Sequence, residues 1–262
     1  MKRVAALVMI GMMGTCFAAK PKTPQASTIV DSGTFDVLVR GMKVASETFQ
    51  IEQRSTGSVT HSELRMNNSV KPNQVSEMDI NANGELARYE WQDPSAQSTV
   101  VIEPSDEFLV EHLTYPGTPD ADDKNAASHP EVKAGVTMKS QTLPHILPTT
   151  TPVLDDNFFS HRELLMWRYL ASECAKRDGA NGLACQFNKQ SYGVLVPNQH
   201  TATTVTIEYS GNKATSVGGV ARVAEVYKLV ADDVEWQVMV DPTTMKVIRM
   251  EIPSQETEIV RE

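Results

Sequence analysis

Apolar and polar residues alternate along most of this chain, and a side-chain period of two belongs to a β-strand, not to a helix. Phe35, Val37 and Val39 fall on one side of the first run, and Asp36, Leu38 and Arg40 on the other. Gly41-Met42-Lys43 then turns the chain into a second run, in which Glu47, Phe49 and Ile51 alternate with Thr48, Gln50 and Glu52. Two such runs flanking a glycine turn predict an antiparallel hairpin with one wet face. The pattern recurs at 62–66, 75–80, 86–92, 98–102 and 107–113, with Asn81-Ala82-Asn83-Gly84 as a turn. It returns at 192–196, 203–209, 221–230, 235–240 and 246–252, separated by Gly211-Asn212, Asp232-Asp233 and Asp241-Pro242-Thr243-Thr244.

One segment breaks the period. Residues 164–170 are apolar nearly all round, which suits a helix buried on more than one side. Ser160 and Glu163 stand at capping-box spacing, and Phe159 and Leu164 at the spacing of a hydrophobic staple. Asp155 and Asp156 suit the positive end of the helix dipole, and Gly179 or Gly182 supplies the stop. The expected helix covers about 158–175. A single helix covers two separate sheets poorly, so the expected fold is mainly β: a strongly curved antiparallel sheet, a half-barrel of about eleven strands, wrapped on one central hydrophobic helix. Residues 31–262 would form that single domain.

The N-terminus carries an address. Lys2 and Arg3 precede an apolar run and the small residues Cys16 and Ala18, the pattern of a signal peptide at 1–18. The apolar run is well short of the roughly 20 residues that cross a bilayer. Lipidation at Cys16 fits less well, because Met13-Gly14-Thr15 departs from the lipoprotein motif. A flexible linker, 19–30, follows. Loss of the leader leaves Cys174 and Cys185, and an even pair in an exported chain reads as one disulfide, in keeping with a bacterial periplasm. No membrane span is expected in the mature chain.

With 24 basic against 33 acidic residues and no basic block, a nucleic-acid partner is not expected. Nor do catalytic motifs stand out: there is no G-x-S-x-G, His-Glu-x-x-His, Walker loop or G-x-G-x-x-G. The six histidines lie outside metal-pair spacing of one another, and the acidic loop Asp120-Ala121-Asp122-Asp123 lacks the glycine and terminal glutamate of an EF-hand. No cofactor, metal or catalytic residue is therefore expected. The nearest thing to a reactive cluster is Asp155, Asp156 and His161 at the helix mouth, which helix capping alone would also select.

Three segments resemble parts of a bacterial family of exported all-β proteins of unknown function. They are the opening run Gly33-Thr34-Phe35-Asp36-Val37-Leu38-Val39-Arg40-Gly41-Met42-Lys43-Val44-Ala45-Ser46-Glu47, the stretch Leu154-Asp155-Asp156-Asn157-Phe158-Phe159-Ser160-His161, and the closing Val240-Asp241-Pro242-Thr243-Thr244. In architecture the chain is similar to Lol-type lipoprotein carriers, bent half-barrels that hold acyl chains beneath helices. The resemblance implies export and an apolar ligand, and it supplies no catalytic residue.

A curved half-wet sheet around an apolar helix leaves a concave apolar face, the usual shape of a site for hydrophobic molecules. The expected function is non-enzymatic binding of a lipid or other hydrophobic ligand in the periplasm or envelope, with Phe49, Trp91, Leu165, Trp167, Tyr169 and Trp236 lining the site. The alternative is a protein–protein interaction module of the envelope with a filled core, pairing through a sheet edge at 246–252.

Overall fold

The structure is a computed structural model that describes residues 27–117, 137–176 and 183–262. The expected signal peptide, the lipidation alternative at Cys16, the linker up to residue 26, the acidic loop at 120–123 and the glycine stops at 179 and 182 lie outside the described residues. The last four linker positions, 27–30, are already strand.

Eight strands come first: β1 (Ser27–Val39), β2 (Met42–Arg54), β3 (Gly57–Met66), β4 (Gln74–Asn81), β5 (Leu86–Asp93), β6 (Ser98–Ser105), β7 (Phe108–Gly117) and β8 (Thr137–His145). The helix α1 (Ser160–Glu173) follows, then the short β9 (Cys174–Lys176) and β10 (Leu183–Cys185). A second meander closes the chain: β11 (Gln190–Val196), β12 (Thr201–Val217), β13 (Val220–Ala231), β14 (Val234–Val240), β15 (Val247–Ile252) and β16 (Thr257–Arg261). The β1–β2 turn places Arg40 at φ 52° and Gly41 at φ 74°, the paired positive dihedrals that let a two-residue turn match the strand twist.

Strand β16 pairs antiparallel with β1, Phe35 opposite Arg261, and this pairing joins the two meanders into one sheet of 14 strands. The sheet is antiparallel, curved and unclosed, with β8 and β11 at its ends. It has more strands than the expected eleven because β8 and β16 escape the pattern. Strand β8 is largely polar and contains Pro144, which an end strand tolerates. In β16 the charges hide the alternation, since the inward pair is Ile259 and Arg261. The expected interaction edge at 246–252 is corrected by the same pairing: β15 lies inside the sheet between β14 and β16.

Alternate side chains of the inner face meet α1. Phe35, Phe49, Ile51, Val238, Val240, Met250 and Ile259 from the sheet are buried with Leu165, Met166, Tyr169 and Leu170 from the helix. A second cluster joins Met78, Tyr89, Ile102 and Leu109 to Val153 and Leu195. Met239, out of phase with Val238 and Val240, packs instead with Ala224, Val226 and Ile248 in a separate small cluster.

The helix start is capped from the sheet rather than from its own sequence, which corrects the expected capping box. Glu47 of β2 accepts the backbone N–H of Phe159 at 2.6 Å and of Ser160 at 3.2 Å, and the Ser160 hydroxyl at 2.6 Å. Glu163, expected to reach back to the cap, accepts instead the Val247 N–H at 3.1 Å and the Arg261 guanidinium. Tertiary donors satisfy the glutamate better than a local cap because the whole turn is buried.

Across the open seam between the two ends of the sheet, the chain between β8 and α1 ties β11 to β5, and Glu111 ties β7 to the turn after β11. Leu195 of β11 pairs with the chain at 152–154, whose Leu154 N–H donates to the Leu195 carbonyl at 2.9 Å. Thr149 accepts the Leu86 N–H of β5 at 2.8 Å. Buried Glu111 of β7 accepts from His145 at 2.8 Å and from His200, in the turn after β11, at 2.6 Å.

Past the helix, β9 and β10 pair through Cys174 and Cys185, which form the expected disulfide. With a sequence separation of 11, the crosslink closes a short loop, and the Cys174→Ser/Cys185→Ser double variant is expected to lose about 3 kcal/mol of unfolding free energy. Urea unfolding of the variant beside the oxidised parent measures this, and coincident curves would show the bond to be stability-neutral.

Candidate functional site

The helix α1 lies on the inner face, and its packing leaves a cavity of about 330 Å³ on one flank. The sheet supplies Met78 and Ile80 from β4 and Leu86 from β5; the chain before the helix supplies Val153; the helix supplies His161, Leu164, Leu165 and Trp167. Met78, Leu86, Val153, Leu165 and His161 are buried, whereas Asn83, Gly84, Thr150 and Arg168 are exposed and mark the mouth. The Arg168 guanidinium donates to the Thr150 carbonyl at 2.7 Å, tying two sides of that mouth together.

Two polar residues of this wall are buried, Thr151 and His161. The His161 Nδ1 accepts the Asp155 N–H at 3.2 Å, so the ring proton of the neutral imidazole sits on Nε2. That Nε2 is buried and has no hydrogen-bond partner among the described residues. Tyr89 meets the ring edge-on at 5.6 Å, and Phe158 lies at the same distance, tilted. Burial, and then the neighbouring Arg162 charge, push the imidazole down to about 3, so it is neutral at physiological pH.

The acidic groups of the helix mouth are committed elsewhere. The Asp155 carboxylate accepts the Tyr89 hydroxyl at 2.7 Å and the Asn157 N–H at 2.8 Å. Its carboxyl is pushed up by burial, against the pull of those bonds. Asp156 accepts from Arg162 at 2.9 Å and from Gln199 at 2.9 Å, and the Arg162 guanidinium stacks on Trp236 at 3.8 Å. The three residues thus gather at one place, with His161 among the residues that line the cavity and Asp155 and Asp156 turned to protein partners.

A second cavity, also about 330 Å³, lies on the other flank of the helix start, between Phe159, Arg162, Leu229 and Trp236, and its rim includes Asp156, Gln199 and Asp232. The structure therefore distributes the six expected ligand residues. Leu165 and Trp167 line the first cavity, and Trp236 the second. Trp91 lines a separate hollow with Leu113, Leu143 and His200 near the seam. Phe49 is stacked on Phe35 at 5.0 Å in the core, and Tyr169 packs edge-on against Tyr227 at 5.6 Å with its hydroxyl on the Asn188 carbonyl.

His161, Met78, Ile80 and Leu86 are the wall residues that the aromatic inventory missed. For His161 a sequence signal exists: it stands in the polar first turn just ahead of the apolar run 164–170. For Met78, Ile80 and Leu86 the alternation marks only an inward face, and which inward residues border empty space depends on three-dimensional packing. Among the described residues no group of three His, Cys, Asp or Glu side chains is placed to hold a metal ion, and no helix is long and apolar enough to cross a membrane.

No family model matches this chain, and no curated protein does. Among solved structures, the chain is similar to the crystal structure of a β-barrel-like protein of domain of unknown function DUF1849 from Brucella abortus, with 9% sequence identity and a TM-score of 0.46 over 88% of this chain and 94% of that one.

Proposed function

We propose that this chain is a non-enzymatic protein, exported to the bacterial periplasm or envelope, that holds a lipid or other hydrophobic small molecule between α1 and strands β4 and β5. The observation that carries the reading is the apolar cavity of about 330 Å³ with an exposed mouth, a volume within the usual range for small-molecule sites. Burial of apolar ligand surface at about 25 cal/mol per Å² makes such a cavity able to retain an acyl chain without a charged anchor. The apolar segment at 1–18 and the Cys174–Cys185 disulfide support export.

Native mass spectrometry of the protein purified without detergent, followed by organic extraction, tests it. A discrete added mass that extracts as lipid is the expected result. Trp167 is half-buried and its indole N–H donates to the Met245 carbonyl at 2.7 Å, so Trp167→Asp is expected to abolish uptake and to loosen the fold together. Ile80→Trp fills the same cavity from the half-buried end of β4 and is expected to abolish uptake with the fold retained. Unchanged uptake in folded Ile80→Trp would place the ligand elsewhere.

The second reading is an envelope protein–protein interaction module. It is favoured by the sheet ending in β8 and β11, and by Ile146 just past β8, which is 84% exposed. A clean apo mass with no uptake of added acyl ligands, together with a co-purifying envelope protein, is the result that would select it.

A further inference from the structure

We infer that the molecule held in the α1–β4–β5 cavity is a single-chain amphiphile with an anionic head, a carboxylate or a phosphate, that lies at the mouth against the guanidinium of Arg168. This rests on the proposed ligand site and adds to it the charge and the orientation of what is bound. Among the described residues of the lining, Arg168 alone is charged at physiological pH, and none is a carboxylate. The other polar members are neutral: Asn83, Thr150 and Thr151 do not titrate, and burial keeps His161 uncharged. Glu85, whose chain neighbours Gly84 and Leu86 line the cavity, is itself outside the lining and accepts from the Asn81 side chain at 2.7 Å.

The guanidinium is placed without being neutralised. Its Nη1 donates to the Thr150 carbonyl at 2.7 Å, which holds it on the rim, and among the described residues it has no carboxylate partner. Arginine carries five N–H donors in a planar fork, so donors remain for a second acceptor, and the side chain is exposed. A charged head suits that place and no deeper one. At the inner end Met78, Leu86, Val153 and Leu165 would surround it, and an ion buried there without a counter-charge carries a heavy desolvation cost. An ammonium head at the rim would meet a like charge. The chain therefore enters first and the anion stays outermost. A volume of about 330 Å³, at the low end for ligand sites, favours one chain over two.

The test compares laurate, monododecyl phosphate, 1-dodecanol and dodecyltrimethylammonium, all below micelle-forming concentrations, by tryptophan fluorescence and native mass spectrometry. The wild-type protein is expected to bind an anionic probe about ten-fold or more tightly than the ammonium, as one charge-assisted hydrogen bond allows. Whichever anion binds more tightly names the head. Arg168→Gln is expected to weaken that anion about ten-fold and to leave dodecanol unchanged, and Arg168→Lys, which keeps the charge, to retain most of the affinity. Binding of the ammonium as tightly as the anions by the wild-type protein would overturn the inference while leaving the apolar site intact, and this comparison requires no variant to fold. Equal losses of anion and dodecanol in Arg168→Gln would make the arginine a support of the rim and overturn its role as the head's partner. Failure of all four probes to bind would overturn the site itself, and the inference with it.

Discussion

Arg261→Met is expected to cost about 3–5 kcal/mol of unfolding free energy, as breaking one side of a buried ion pair does. One guanidinium near the end of the chain holds two strands and the helix together. Its Nη2 donates to Asp31 of β1 at 2.5 Å and to the Ser32 carbonyl at 3.1 Å, and its Nη1 donates to Glu163 of α1 at 3.1 Å and to the Val247 carbonyl at 3.2 Å. Its charge also lies 5.1 Å from the Phe49 ring centre. Methionine fills the space and removes the charge, leaving Asp31 and Glu163, both buried, with Lys246 on Asp31 as the remaining cation. Chemical unfolding measures the loss. Arg40→Ala is the control, because its ion pair with Glu256 is exposed on both sides and such pairs contribute roughly 0–1 kcal/mol. The triple variant Arg261→Met/Asp31→Asn/Glu163→Gln is expected to recover part of the loss, since the unpaired charge and not the missing contact is the larger cost. Equal effects of Arg261→Met and Arg40→Ala would refute this account of how β16 closes the sheet onto β1.

The inner and outer faces were legible from alternation alone, because a strand's period is fixed and one face of this sheet is dry. Phe49 and Ile51 fall inside as their spacing requires, and so does Glu47, which keeps step with them. That phase was the clue to a buried carboxylate. What it could not show was its partner at the helix start, since the N–H groups of Phe159 and Ser160 that donate to the Glu47 carboxylate are more than a hundred positions away. The same limit explains the misread capping box: local spacing selected Ser160 and Glu163, and tertiary contacts reassigned both. Strand β16 was hidden because Arg261 is a charge on the inner face, which a hydrophobic pattern scores as outward. For the ligand site, aromatic content pointed to Phe49 and Tyr169, but large side chains in a core fill space as readily as they border it. His161 was visible as a polar residue at the head of an apolar helix; its unpartnered nitrogen was not, because that depends on the Asp155 N–H taking the other one.

The protein is expected to be more stable near pH 5 than near pH 8, with Glu47 and Glu163 as the main causes. Burial pushes the Glu47 carboxyl from an ordinary value of 4.5 up to about 7, despite the hydrogen bonds from Ser160 and Phe159 that favour the charged form. A carboxyl with a raised folded-state value binds its proton more tightly in the folded chain, so its contribution to stability is intact below 4.5 and is lost as pH rises through 7, about 3 kcal/mol in all. Glu163 is raised by burial in the same sense, against the pull of Arg261, as is Asp155. His161 opposes them: its value is lowered from 6.5 to about 3, so the folded chain loses stability as pH falls through that range. The carboxyls outweigh it between 4.5 and 6.5, and above 6.5 the imidazole no longer opposes them, so the decline is steepest from there to 7. Below about 4, Asp31, lowered by its hydrogen bonds to Arg261 and Lys246 against the desolvation of burial, loses its own contribution and stability falls again. Thermal melts from pH 4 to 8 measure the profile. Glu47→Gln, which cannot ionise and turns one N–H donor toward the helix start, is expected to melt lower than the parent at pH 5 and to have a shallower slope between 5 and 7. Glu47→Ala leaves the Phe159 and Ser160 N–H groups without their acceptor and is expected to cost about 2–5 kcal/mol at pH 5. A Glu47→Gln profile parallel to the parent's would show that the capping carboxylate is not what titrates.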